Sequence, residues 1–464
     1  MNEFVPPYPP RAEKWVPLRR LIKVARKNFL AVFPRTAYDK DFLSGQVLRR
    51  PMVLVNSPAL IKEAFGQKHS VYQRKSPQMR HALHPLLGDG LFISDGDVWS
   101  QRRKIVAPII HTNRLSEFAP TMIEAAMERR EAWLAAGDGT EIDVMSEMAK
   151  LTAEIICRSV FGKQLGAEHG DEIVDGFFHY QKHVDQTDIM SLLKIPDWLP
   201  RPRGLRVRRA KNRVLAVLED VISRTKEHEA GNENSVVSTL IAARDEDGKP
   251  LSRAAIRNEA AVIFMAGYET TANTLSWAWY ILSQADWARE RLHAELDEVL
   301  AGRVPTLEDV KNLPYTRAII EEVLRLYPPV PMLAREASSD ETIGSHKVEK
   351  GTIVLVCPWL LQRNPKLWKK PDNFVPERFL PDSGPAPSKY AYVPFSTGPR
   401  VCAGLTFGLT EAIICLAVLA QKVDLKLSPS AEVEAVCRLT LRPGESLPMT
   451  VHRRAEPAAA PTPS

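Results

Sequence analysis

The sequence predicts a mainly α-helical protein with small β-sheets at one side, built as one large domain. Three observations lead there. Between residues 97 and 327 proline is sparse and apolar residues recur at helical spacing, as in Ile156 and Val160 or Val214, Val217, Leu218 and Val221. Strand-like runs are few and short, at 52–55, 352–356 and 439–441. The 464 residues are 44% hydrophobic and 25% charged, ordinary values for a chain that builds a large core.

Taken in order, residues 1–35 read as a proline-rich, basic arm, 36–452 as a single domain, and 453–464 as a disordered tail. The longest helix is expected to start at the N-cap Ser252 and run to about Gln284, roughly 45 Å at 1.5 Å per residue. Asp286 restarts a helix to about Leu300. Another spans about 315–326 and is stopped by Pro328 and Pro329. The last, about 405–421, is apolar on nearly every face and so is expected to be buried.

Composition excludes several classes. Sixty-two basic against 56 acidic residues give +6, too small an excess to argue for nucleic acid. No run of eighteen apolar residues occurs, so no spanning helix is expected, and residues 1–11 carry four prolines and no secretory h-region. Cys157, Cys357, Cys402, Cys415 and Cys437 are odd in number and never spaced C-x-x-C. A disulfide framework and a structural zinc site are therefore not expected, and a reducing cytoplasm fits. Residues 14–35 hold seven basic and no acidic residues interleaved with apolar ones. They could lie on a membrane surface, although such segments more often pack on their own domain.

The most informative segment is Phe395-Ser396-Thr397-Gly398-Pro399-Arg400-Val401-Cys402-Ala403-Gly404. It sets a cysteine just ahead of the buried helix. A thiolate there meets the positive end of the helix dipole and free backbone N–H groups, which favour its charged form. A bound metal would deprotonate it further. Gly398 permits a tight turn, and Gly404 lets a flat ligand approach the backbone. A lone cysteine is otherwise a small buried hydrophobe, so its neighbours decide.

Those neighbours fill every fixed position of F-x-x-G-x-R-x-C-x-G, and the segment resembles the haem-binding loop of the cytochrome P450 family. The resemblance implies a P450-type fold with heme b between the long central helix and the helix after the cysteine loop. It makes Cys402 the axial iron ligand, whose electron release favours O–O cleavage. It also implies that Arg400 pairs with a haem propionate, that Phe395 shields the sulfur, and that Gly404 lies against the cofactor.

Three further segments follow in the family's order. Glu322 and Arg325 match E-x-x-R as i, i+3 neighbours, with Arg378 of P-E-R-F as a third, structural partner. Ala266-Gly267-Tyr268-Glu269-Thr270-Thr271 matches A/G-G-x-E/D-T midway along the long helix. A threonine hydroxyl can bond the carbonyl four residues back, here Ala266, and loosen the ladder. Gly267 lowers helix propensity and leaves space for a small ligand. An isolated threonine of this kind would be read as core. Beside the other motifs, Thr270 is expected to deliver protons and stabilise O2, Glu269 to relay protons or organise water, and Thr271 to pack or cap locally. Finally, Trp99 and Arg103 match W-x-x-x-R, one helical turn apart on one face and suited to a propionate. Arg335, after P-M-L-A, falls where the family often has another propionate partner. Two features depart or narrow: Arg400 stands where many soluble bacterial members have His, and residues 88–103 look like those of members that hydroxylate fatty acids.

The resemblance implies a monooxygenase that inserts one atom of O2 into an apolar small molecule such as a fatty acid, terpenoid or steroid. No glycine-rich dinucleotide fingerprint and no iron–sulfur cysteine cluster is present. A separate donor is expected, a ferredoxin with its NAD(P)H-dependent reductase, which could dock on Lys366, Lys369 and Lys370. The rivals are a same-fold isomerase, dehydratase or peroxygenase, against which the intact Glu269–Thr270 pair argues, and a non-catalytic haem sensor or carrier. By the same analogy the pocket draws on residues about 70–93, 176–197, 331–333 and 444–447 with Ala266 and Thr270.

Overall fold

The computed structural model describes residues 3–162, 172–177, 179–180, 184, 189–195, 204–227, 235–384, 387–437 and 439–454. The centre is a long helix laid across the molecule. Among the described residues the longer helices are α1 (Leu18–Lys27), α2 (Pro77–Leu87), α3 (Gly96–Ile109), α4 (Leu115–Ala136), α5 (Val144–Phe161), α6 (Leu205–Glu227), α7 (Val236–Ala242), α8 (Arg253–Gln284), α9 (Asp286–Leu300), α10 (Pro314–Leu326) and α11 (Leu405–Ala420). The central helix α8 starts where expected: the Ser252 hydroxyl accepts from the Ala255 N–H at 3.2 Å. It packs against α5, α10 and α11, and from Ile256 to Leu282 most of its side chains are buried. The start of α10 combines proline at its first position with Glu295 of α9, whose carboxylate accepts from the N–H groups of Tyr315 and Thr316.

The main sheet is mixed, in the order β1 (Phe42–Val47), β2 (Arg50–Val55), β8 (Ile353–Val356), β5 (Leu333–Glu336), β3 (Arg74–Lys75). Only β2 and β8 run parallel. Its far edge pairs β3 with β5, setting Lys75 opposite Arg335 and Arg74 opposite Glu336. A second sheet joins β4 (Glu141–Asp143), β12 (Pro448–Arg453) and β9 (Val423–Leu427); two hairpins, β6–β7 (Glu341–Ile343, His346–Val348) and β10–β11 (Val436–Cys437, Leu441–Arg442), complete the strands. The strand expected at 439–441 is instead mostly the turn of the last hairpin. Thr440 and Arg442 there turn their side chains to Glu269, and that pairing, rather than strand alternation, sets the local chain path.

The N-terminal arm is tied to the body. Phe374 N–H donates to the Phe4 carbonyl at 2.9 Å, the Tyr327 hydroxyl donates to the Pro7 carbonyl, and Arg11 pairs with Asp372. In α1, Leu21, Val24 and Ala25 pack on the core, so these residues face protein rather than lipid. Among the described residues no helix is long and apolar enough to cross a membrane. Of the expected disordered tail 453–464, Arg453 instead ends β12 and Arg454 pairs with Asp297, while 455–464 lie outside the described residues.

Behind the cavity, Glu322 and Arg325 form a fully buried bidentate pair at 2.6 and 2.7 Å. Arg325 also donates to the carbonyls of Gln362, Pro371 and Asn373. Glu322 accepts from Val375 N–H at 2.8 Å and from Arg378 at 3.4 Å. Every donor of this guanidinium fork is therefore used to fasten the proline-rich 362–375 stretch onto α10. Glu322→Ala should strand a buried guanidinium, at a cost of about 3–5 kcal/mol. The variant is expected to unfold at lower temperature and to accumulate with little bound haem, read as the Soret-to-protein absorbance ratio.

Candidate active site

The cavity lies between the middle of α8 and the turn that precedes α11. It encloses about 2030 Å³ of empty space, mouth included. The part of that space that could hold the centre of a water-sized sphere is about 290 Å³, near the lower end of the roughly 300–1,000 Å³ common for ligand pockets. Leu83, Phe92, Val262, Ile263, Leu333 and Phe395 give it largely apolar walls. On α8 the cavity fronts Ala266 and Thr270, one turn apart, and Ala266 is exposed there although its helix is otherwise buried.

The Thr270 hydroxyl donates to the Ala266 carbonyl at 2.8 Å, the bond expected from the spacing. Thr274 repeats it onto the Thr270 carbonyl at 2.9 Å, and Thr152 of α5 reaches the Tyr268 carbonyl at 2.7 Å. Gly267 lines the cavity, and it serves a second purpose as well. A Cβ there would stand 2.7 Å from Ile156 Cδ1, so the glycine also lets α5 cross α8 closely. Thr271 does not cap locally; its hydroxyl donates across to the Glu411 carboxylate on α11 at 3.1 Å. Glu269 is engaged already, accepting from Thr440 and from Arg442, each at 2.7 Å.

The cysteine turn follows its sequence closely. Gly398 has φ +70°, and a Cβ would fall 2.0 Å from the Phe65 carbonyl oxygen, so the turn presses on residues 62–67 as no other residue could. Cys402 N–H donates to the Phe395 carbonyl at 2.8 Å, and Phe395 lines the cavity beside it. At Gly404 a Cβ would meet nothing closer than the Cys402 sulfur at 4.0 Å, leaving that side of the backbone open. The sulfur is reached from the cavity, yet the dense surrounding protein pushes its thiol pKa up, against the opposing pull of the Gly404 N–H, Arg103 and Lys75. Desolvation thus opposes the helix terminus that was expected to favour the thiolate.

Cations dominate one wall. Arg335 is fully buried and desolvation holds its pKa down to about 9, with Arg400 adding like-charge repulsion. Arg400 is held at about 10, first by burial. It lies over the Trp99 ring at 4.5 Å and donates to the Ser94 carbonyl at 2.7 Å. Burial lowers Arg103 too. Lys75 joins them, buried, depressed well below the ordinary lysine range by desolvation and by Arg335 and Arg400, and placed 4.4 Å from the Phe92 ring centre. The turn and the sheet edge thus bring together Trp99, Arg103, Arg335, Phe395, Arg400, Cys402 and Gly404 on one cavity, with Thr270 and Glu269 across it.

Sequence reasoning missed Lys75 and Glu411. Nothing in a two-residue strand flags the lysine. Glu411 carried a signal, because it is the one charged residue in the apolar α11. The expected basic docking patch is partly neutralised: Lys366 lies 3.4 Å from Asp41, and Lys370 pairs with Glu3. Of the pocket segment expected at 176–197, residues 178, 181–183, 185–188 and 196–197 lie outside the described residues, and none of its described residues lines the cavity.

The residues fit a haem. Among the described residues none of Lys75, Arg103, Arg335 and Arg400 pairs with a carboxylate, and Arg335 Nη1 and Arg400 Nε lack any hydrogen-bond partner. Lys75 and Arg335 are even cross-strand neighbours, where like charges repel. Two carboxylates at the edge of a flat apolar ring would satisfy this wall, and the Cys402 sulfur is the soft donor that an iron centre takes.

A mainly helical fold with such a cavity defines a haem-thiolate oxygenase. The chain belongs to the cytochrome P450 family: the family model described as Cytochrome P450 matches residues 9–445. It is 32% identical over 431 residues to cyclooctatin synthase of Streptomyces melanosporofaciens, covering 91% of this chain and 90% of that one. It is 30% identical to the chloroplastic carotene epsilon-monooxygenase of Arabidopsis thaliana, covering 87% and 78%. A crystal structure of the cytochrome P450DA heme domain superposes with a TM-score of 0.81 at 25% identity, covering 97% and 98%. The chain is thus a P450 monooxygenase, an enzyme that requires haem iron, O2 and a source of electrons.

Glu411 gives this site a pH signature. Burial pushes its carboxyl up to about 8, against the Thr271 hydrogen bond, whereas an unfolded glutamate ionises near about 4.3. Between those values the unfolded chain releases a proton that the folded one keeps, so this group lowers stability as pH rises. Glu411→Gln should therefore raise the unfolding midpoint at pH 8 and leave it nearly unchanged at pH 4.5, measured by circular dichroism.

Proposed function

We propose that the protein hydroxylates an apolar, terpenoid-like small molecule, with electrons from a separate ferredoxin and its NAD(P)H-dependent reductase. The observation that carries the reading is the cavity: a cysteine sulfur and unpaired cations on one side, a threonine hydroxyl on the other, apolar walls between. Carotene and cyclooctat-9-en-7-ol, named in two relatives, are largely hydrocarbon and support the substrate class. Fatty acids and steroids share the apolar requirement and are the comparison ligands. A cytoplasmic setting is part of the same proposal.

Cys402 would hold heme b, which would supply O2 activation and oxygen insertion into a C–H bond. The chain's own groups do the rest. Trp99, Arg103, Lys75, Arg335 and Arg400 would receive the propionates and fix the ring's orientation. Phe395 covers the sulfur. Leu83, Phe92, Val262 and Leu333 exclude water and hold the substrate by apolar contact. Thr270 carries a mobile proton at Oγ1, shared with the Ala266 carbonyl. Glu269, the preceding residue on α8, is held by Thr440 and Arg442 and offers a carboxylate acceptor on the same cavity.

Cys402→Ser should abolish the red-shifted absorption band of the reduced CO complex; a surviving band would mean another residue ligates the iron. In Thr270→Ala, electron use should uncouple from product, with peroxide rising several-fold. The measurement is NADPH consumed against product formed once the iron spin state has identified a substrate. Turnover that proceeds without a reduced donor would favour the isomerase, dehydratase or peroxygenase reading, and no turnover with any ligand would favour the haem sensor or carrier.

A further inference from the structure

The segment 88–95 joins α2 to α3 and places Leu91 and Phe92 in the cavity wall. It has no partner strand or helix of its own. One end is pinned by the cysteine turn, through Arg400 to the Ser94 carbonyl at 2.7 Å. The other end rests on α8, against a fully buried carboxylate that the proposed chemistry does not use. Both oxygens of Glu259 accept from the Leu91 N–H at 3.1 Å, and Arg102 of α3 stands 3.5 Å away. Asn258 bonds Asp89 at 2.8 Å. Two glycines make the approach possible: a Cβ at Gly88 would overlap the Asn258 amide at 2.1 Å, and one at Gly90 would stand 2.7 Å from Val262 Cγ2.

We propose that Glu259 is a positioning residue, a latch on α8 that holds the Leu91–Phe92 wall against the cavity and thereby controls ligand entry and the shape of the pocket. A carboxylate suits this post because its charge strengthens the bond to a backbone N–H and attracts Arg102. Protonation leaves one neutral acceptor and no attraction, so the wall loosens on acidification. Burial raises this carboxyl to about 7, which puts the change within the physiological range. The charged groups facing it are Arg102 from α3 and Asp89 from the segment itself, while α2, packed on the same helix, contributes none. On α8, Arg257 is turned away to Glu219 of α6 at 3.1 Å.

The test uses the haem-loaded protein. Amide exchange at Leu91, followed by mass spectrometry at fixed pH 8, should speed up by about tenfold or more in Glu259→Gln, the loss expected for one charge-assisted hydrogen bond. The control is Glu246→Gln, an exposed carboxylate paired with Lys104, which should leave that exchange unchanged. Flash photolysis of the reduced CO complex gives an independent readout, because CO carries no titratable group. Rebinding in the wild type should accelerate as pH falls through about 7, and the step should vanish in Glu259→Gln. If that variant does not fold, Arg102→Gln, which removes the partner from α3, should speed Leu91 exchange and shift the CO step upward in pH. Wild-type exchange rates in both variants, or CO rebinding flat across the range, overturn the latch. The proposal rests on the oxygenase reading only in its second readout. Leu91 exchange is measured whatever the cavity binds, so the two can fail separately.

Discussion

Four cations gathered on one wall, Lys75 and Arg335 buried and Arg103 and Arg400 partly so, with no carboxylate pairing them among the described residues, are the constraint on which the rest of the structure depends. Lys75, Arg103, Arg335 and Arg400 are each depressed by desolvation, and a polypeptide alone gains nothing from gathering them. Their repulsion is tolerable only if a dianionic partner completes the wall. Protein and cofactor are therefore one electrostatic unit, in which the ligand neutralises charge that the fold has concentrated.

That concentration needs rigid supports on both sides. The β3–β5 edge fixes Lys75 and Arg335 at adjacent positions, and the Gly398 turn, pressed on residues 62–67, fixes Arg400 and Cys402. The Glu322–Arg325 pair locks the irregular proline-rich stretch that no regular ladder could hold. Opposite, α8 keeps its threonine face in place through hydroxyl-to-carbonyl bonds and a close crossing with α5. The polar groups are thus set by backbone geometry rather than by long flexible side chains.

Helical spacing, the Ser252 cap and the paired prolines after Leu326 made the long helices legible, because local periodicity and stop signals fix them. The cysteine turn and the Thr270–Ala266 bond were legible for the same reason. What escaped was set by long-range partners. Glu269 is bonded by Thr440 and Arg442, more than 170 residues further on; Thr271 reaches Glu411 rather than a local carbonyl; and Lys75 earns its position from a strand 260 residues away. Gly267 was read as an opening only and is also a crossing point, since a missing Cβ does not announce which neighbour fills its place.

The arm carrying Phe4, Pro7 and Arg11 closes on residues 327 and 372–374, and the Arg11–Asp372 contact spans 361 residues. During synthesis Arg11 must wait for the 361 residues that separate it from Asp372 before its docking surface exists. Such a contact cannot belong to an early nucleus, because its loop entropy is repaid only once the intervening body is ordered. The arm is therefore a late seal, added over a brace already formed, and a chaperone holding the nascent chain would find it among the last segments to become protected.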